Sequence, residues 1–179
     1  TLKLDVKAQF TSDKDEMGFN TLAEIPGGSR KDELVIIGAH LDSWHTGTGA
    51  SDNAAGVAVM MEAMRILKAI RVKPKRTIRI ALWSGEEQGL IGSSEYVKQH
   101  FAELPAPADP KLKDLPRSLH ENPLPPVIKS GHKTVSVYFN YDNGGGKIRG
   151  IYAQENLAAA DIFRQWIAPM QDLGVTTVT

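Results

Sequence analysis

Apolar residues run from Leu34 through Val35, Ile36, Ile37, Gly38 and Ala39 without a polar break, the pattern of a strand covered on both faces in an α/β sheet. A glycine-rich loop follows. Between residues 54 and 70, Val57, Met60, Met61, Met64 and Leu67 recur at helical spacing, which predicts an amphipathic helix with Asp52 or Asn53 placed to cap its start. Pro74 ends the connection and residues 77–83 read as the next strand, so the segment forms a βαβ unit. Upstream, residues 2–10 alternate like a strand, and 18–25 form a second one that ends at Pro26-Gly27-Gly28. Together they predict an antiparallel hairpin.

Downstream, a helix is expected from Gln88 to about Phe101, with Leu90, Val97 and Phe101 turned inward. Prolines 105, 107, 110, 116, 123, 125 and 126 then break every periodicity. Residues 102–132 therefore read as an irregular surface excursion. Strands are expected at 134–141 and 148–154, and a closing helix over 157–173 buries Ile162, Phe163, Trp166, Ile167 and Met170. No internal repeat is visible. The expected architecture is one α/β domain spanning residues 1–179.

Composition narrows the partners more than the fold. The chain has 179 residues, 41% of them hydrophobic, which suffices for a core. Lysine plus arginine and aspartate plus glutamate both number 21, a formal net charge of +0, so no global field favours nucleic acid, an acidic membrane or a polyanion. Cysteine is absent, which removes disulfides, thiolate metal sites and a cysteine nucleophile without choosing a compartment. Any metal must be held by histidine and carboxylates. No apolar stretch approaches the roughly 20 residues of a membrane helix, so no membrane insertion is expected. The opening residues resemble a strand and not a signal peptide, so the chain reads as an excised piece of something longer.

The candidate chemistry sits just after three expected strands, where ligands bind in open α/β sheets. After the first come His40-Leu41-Asp42 and the loop from Gly47 to Asn53 that contains Asp52; after the second, Ser84-Gly85-Glu86-Glu87; after the third, Asp142-Asn143 and three glycines. Each residue has a structural reading as well. His40 can be a hydrogen-bonding strand end, Asp52 a helix cap, Glu86-Glu87 an exposed turn and Asp142 an Asx turn. Asp42 lies two residues beyond His40, so in an extended segment it projects to the same side and can accept the imidazole's second N–H. Adjacent carboxylates at a strand end repel unless a cation or proton separates them. Taken as a set, one imidazole and several carboxylates suit zinc in a hydrolytic site.

The segments Ala39-His40-Leu41-Asp42-Ser43, Gly49-Ala50-Ser51-Asp52-Asn53-Ala54-Ala55-Gly56, Leu82-Trp83-Ser84-Gly85-Glu86-Glu87-Gln88-Gly89-Leu90-Ile91-Gly92-Ser93 and Asn140-Tyr141-Asp142-Asn143 resemble the M28 family of zinc aminopeptidases and carboxypeptidases. His40-Leu41-Asp42-Ser43-Trp44 and Pro74-Lys75-Arg76-Thr77 resemble the plasma glutamate carboxypeptidase-like branch and its bacterial relatives. The resemblance implies a three-layer αβα fold with a mixed, largely parallel central sheet, incomplete at its C-terminus. It implies two zinc ions, with Asp52 bridging them, His40 and Asp142 on one, and Glu87 on the other. Glu86 would be the general base, Asp42 the acid that orients His40, and the Asp52-Asn53 bond cis. A peptide would be the substrate and the location periplasmic or secreted.

The family's last ligand is a histidine downstream of Asp142. His45, His100, His120 and His132 all precede Asp142 and are read as surface or loop residues. The chain is therefore expected to stop before that ligand, to bind zinc weakly alone and to hydrolyse little. A non-catalytic binding domain on the same fold is the alternative. Gly47-Thr48-Gly49 as a phosphate loop lacks the remaining fingerprint residues, and a glycosidase pair involving Glu86 would leave His40 and Asp52 unexplained.

Overall fold

A computed structural model describes residues 2–7, 9, 17–113, 115, 119, 123–154 and 156–179. The chain divides into two compact units, Thr1–Gly144 and Gly145–Thr179. In the first, β1 (Thr21–Ile25), β2 (Arg30–His40), β3 (Arg76–Trp83) and β6 (Val135–Asn140) form one sheet in the order β1-β3-β2-β6. Strand β2 is parallel to both β3 and β6, whereas β1 runs antiparallel to β3. The sheet is thus mixed and largely parallel.

Helix α1 (Ala55–Ala69) and helix α2 (Ile91–His100) cover opposite faces, because successive side chains of β2 and β3 alternate between them. Ala39, Ile80 and Leu82 pack with Met60 of α1. Leu34, Ile36, Ala81 and Trp83 pack with Tyr96 of α2. This is the three-layer αβα arrangement. Between α2 and β6, the short strands β4 (Ala102–Glu103) and β5 (Val127–Ile128) pair antiparallel and close the base of the proline-rich excursion.

The N-terminal hairpin is absent among the described residues. Residues 2–7 and 9 carry no strand, while residues 8 and 10–16 lie outside the described residues. Leu2, Leu4 and Val6 are exposed, so their alternation has no surface to pack against, and β1 takes its partner from β3. In α2 the inward residue is Tyr96, its ring 5.1 Å from that of Trp83; Leu90 and Val97 are exposed. Leu90 adopts a left-handed conformation (φ 58°) before the helix begins, which sets a helical phase different from the one its own side chain suggested.

The second unit is small. Strand β7 (Gly150–Ile151) pairs parallel with β8 (Thr177–Val178), and α3 (Ala160–Ile167) lies between them in sequence. The helical path expected over 157–173 is present, but its ends are 3-10 turns. Pro169 accounts for the change after Ile167, since it has no N–H for the α-helical ladder. Ala160 and Ile167 are its buried residues, whereas Ile162, Trp166 and Met170 are exposed.

Candidate metal centre

His40 and Trp83 are register partners at the ends of β2 and β3, and Gly38 pairs with Asn140 at the end of β6. Three parallel strands therefore deliver their following residues to one edge of the sheet. The His40 side chain is only 2% exposed. Its Nε2 lies 2.9 Å from Asp52 Oδ1, 3.1 Å from Asp142 Oδ1 and 3.8 Å from Glu86 Oε2. Ligand atoms of His40, Asp52 and Asp142 lie within 4.8 Å of one another, as do those of His40, Glu86 and Glu87.

Asp42 does two things at once. Its backbone carbonyl is 3.0 Å from His40 Nδ1, and its carboxylate is farther away at 3.4 Å. The carboxylate instead accepts the backbone N–H of Glu86 (3.0 Å) and of Glu87 (3.1 Å). Asp42 thus ties the end of β2 to the loop after β3. That loop is itself closed: Gly89 and Leu90 N–H groups bond to the Glu86 carbonyl, and Ile91 N–H bonds to the Gly85 carbonyl. The adjacent glutamates consequently sit on an enclosed turn.

Two asparagines hold these loops. Asn20 accepts from Ser84 N–H and donates to the Gly92 carbonyl. Asn53 links the Asp52 loop to the segment bearing Asp142 by donating to the Tyr141 carbonyl. Asn20 carries no local signal, because its partners are 64 and 72 residues away. Asn53 was visible as a possible helix cap, and its Oδ1 does accept the Gly56 N–H. The Asp52-Asn53 peptide bond is cis.

The electrostatics follow from the crowding. Burial alone would pull the His40 imidazole's pKa down, but the Asp142 charge, the Asp52 hydrogen bond and the Glu86 and Asp42 charges outweigh it and raise it. Glu86 is pushed up by desolvation and by Asp142, Asp42 and Asp52, against the pull of His40. Desolvation and the Asp52 and Glu86 charges likewise raise Glu87. Asp42 shifts the other way: desolvation is overcome by the N–H groups of Glu86 and Glu87, and its pKa falls.

These residues fit a divalent cation. Glu87 Oε1 is a buried oxygen with no hydrogen-bond partner among the described residues, and such atoms are costly unless something compensates them. His40 Nε2 faces two carboxylate oxygens at hydrogen-bond distance, which leaves a place of strongly negative potential that a proton or a metal ion relieves. The donors are all nitrogen and oxygen. Among the described residues, His45, His100 and His132 are exposed and belong to neither group; His120 lies outside the described residues.

Fold and site together define an α/β protein with a histidine–carboxylate cluster, able to hold a cation, at the carboxyl edge of its sheet. A sequence profile of peptidase family M28 matches residues 20–176, and the chain belongs to that family. It is 42% identical to mouse (Mus musculus) carboxypeptidase Q over 103 residues, 58% of this chain and 22% of that protein. The crystal structure of an M28 peptidase precursor from Shewanella amazonensis SB2B superposes with a TM-score of 0.66 at 31% identity, covering 89% of this chain and 30% of the other. An aminopeptidase from Aneurinibacillus sp. strain AM-1 superposes with a TM-score of 0.55 at 27% identity, over 89% and 33% of the two chains. The chain spans about a fifth of the length of the curated relatives it matches. No helix among the described residues is long and apolar enough to cross a membrane.

Proposed function

We propose that this chain carries the core of a two-zinc exopeptidase that hydrolyses a terminal peptide bond. The supporting observation is the convergence on His40 Nε2 of Asp52 and Asp142 at 2.9 and 3.1 Å, beside a buried, unpartnered Glu87 oxygen. In this reading Asp52 is shared between two positions, His40 and Asp142 complete one, and Glu87 serves the other. Zinc bound there would supply Lewis acidity and lower the pKa of water.

The chain's own groups then divide the work. Glu86 accepts a proton from the attacking water and returns it to the departing amine. Asp42 fixes the Glu86 and Glu87 backbone and, through its carbonyl, the His40 ring. An extracytoplasmic location accompanies this reading, checked by fractionating the source cells.

Metal analysis and an assay on amino-acyl chromogenic substrates test the reading in the full-length protein, and N- or C-blocked peptides decide which terminus is read. Glu86→Gln is expected to lower turnover at least about 100-fold while retaining metal, and Asp52→Asn to lose metal. Turnover within about tenfold of wild type for Glu86→Gln would reject the base assignment. A wild-type protein that holds no metal and cleaves nothing would favour the non-catalytic binding domain.

A further inference from the structure

Asn53 is the largest side chain fully enclosed in the described structure, at 2% exposure. A buried amide is costly unless both its ends are bonded, and here both are. Its Nδ2 donates to the Tyr141 carbonyl at 2.7 Å, and its Oδ1 accepts the Gly56 N–H at 3.1 Å. The bonded positions matter because Asn53 directly follows Asp52 and Tyr141 directly precedes Asp142. One amide therefore joins the backbone beside each of the two carboxylates that meet at His40 Nε2.

The first turn of α1 is shaped around this link. A Cβ on Gly56 would stand 2.2 Å from Asn53 Oδ1 and 2.6 Å from the Tyr141 carbonyl oxygen, so only glycine lets the helix, the amide and the end of β6 come together. Helix capping explains half of the arrangement. A cap requires only the acceptor, which aspartate supplies equally well. The donor bond to Tyr141, spanning 88 residues of sequence, requires the amide N–H₂ that aspartate lacks.

Building on the metal-site reading above, we infer that Asn53 is a positioning residue that sets the separation of Asp52 and Asp142, and so tunes the cation position those carboxylates share with His40. It does not touch the ion. Groups that orient ligands from outside typically change metal affinity about 10- to 100-fold when removed.

Asn53→Asp separates this role from capping. The substitution keeps the acceptor for Gly56 but turns a carboxylate oxygen toward the Tyr141 carbonyl. As a simple cap with an added negative charge, the variant would bind a cation as well as wild type or more tightly. The inference predicts the opposite. Zinc titration calorimetry of the metal-free, full-length protein should show affinity at least about tenfold weaker, and the visible absorption of the cobalt(II) form should change. Asn53→Ser, which also loses the bond to Tyr141, should behave alike if the aspartate variant fails to fold. Thr77→Val is the control for general destabilisation: buried Thr77 accepts from Gly27 and donates to Lys31 at the opposite end of β3, and its loss should lower stability while leaving zinc affinity unchanged. Wild-type affinity and an unchanged cobalt spectrum in Asn53→Asp would overturn the inference, as would an equal loss of affinity in Thr77→Val. A wild-type protein that takes up no metal would instead overturn the reading on which the inference rests.

Discussion

Tyr138 illustrates how much a single side chain beside the site depends on its surroundings. Its hydroxyl accepts the Trp83 indole N–H and donates to Asn140 Oδ1, both at 2.7 Å. It fits above the sheet because Gly38 has no Cβ; one there would stand 2.7 Å from the hydroxyl. Burial raises the phenol's pKa to about 12, with Trp83's hydrogen bond lowering it and the Asp142 charge raising it. A group whose pKa is higher folded than unfolded contributes stability that is complete below its unfolded value and is lost as pH rises through the folded one. Between pH 10 and about 12 the wild-type urea midpoint should fall with pH. Tyr138→Phe should flatten that fall; equal slopes for the two proteins would refute the assignment. Tyr138 as a whole is 42% exposed, so solvent tempers the effect. At this scale the sequence was legible where chemistry repeated a position, as with His40, Glu86-Glu87 and Asp142 at strand ends. It was not legible for Tyr138 with Trp83 or Asn20 with Ser84, which meet only once the sheet has assembled.

At the scale of elements, α1 shows what periodicity settles and what it leaves open. The helix forms over Ala55–Ala69, within a residue of its expected limits. Of adjacent Met60 and Met61, both assigned to the apolar stripe, Met60 is buried against Ala39, Ile80 and Leu82, whereas Met61 is 56% exposed. Neighbours along a helix point about 100° apart, so a stripe containing both must turn one toward solvent. Met60→Ala should therefore cost about 2–5 kcal/mol of unfolding free energy, while Met61→Ala stays within about 0.5 kcal/mol. Comparable losses, measured by urea unfolding, would contradict the packing. The expected N-terminal strand is likewise absent among the described residues: alternation in residues 2–7 offers apolar side chains but does not by itself secure a partner, and Leu2, Leu4 and Val6 stay exposed. Strand β8 escaped notice because two paired residues are too few to show a period.

The larger unit, residues 1–144, is organised by parallel topology. Strands β2, β3 and β6 share a direction, so every loop that carries a candidate ligand leaves from the same edge. A sequence can announce that arrangement, since βαβ connections impose parallel strands, and here the order of strand ends was readable before the fold was known. The division of labour around Asp42 was not, because hydrogen bonds to backbone N–H groups leave no mark on residue identity. Nor was the exchange of cap and clamp roles within Asn53.

The proposed activity requires that the strand-end carboxylates and His40 form a metal centre. Diffraction from zinc-loaded crystals of the full-length protein, recorded on either side of the zinc absorption edge, tests it most directly. Two anomalous peaks are expected, one about 2.0–2.2 Å from His40 Nε2 and from oxygens of Asp52 and Asp142, the other beside Glu87. An anomalous map with no peak at His40, or with zinc only at surface sites elsewhere, would contradict it.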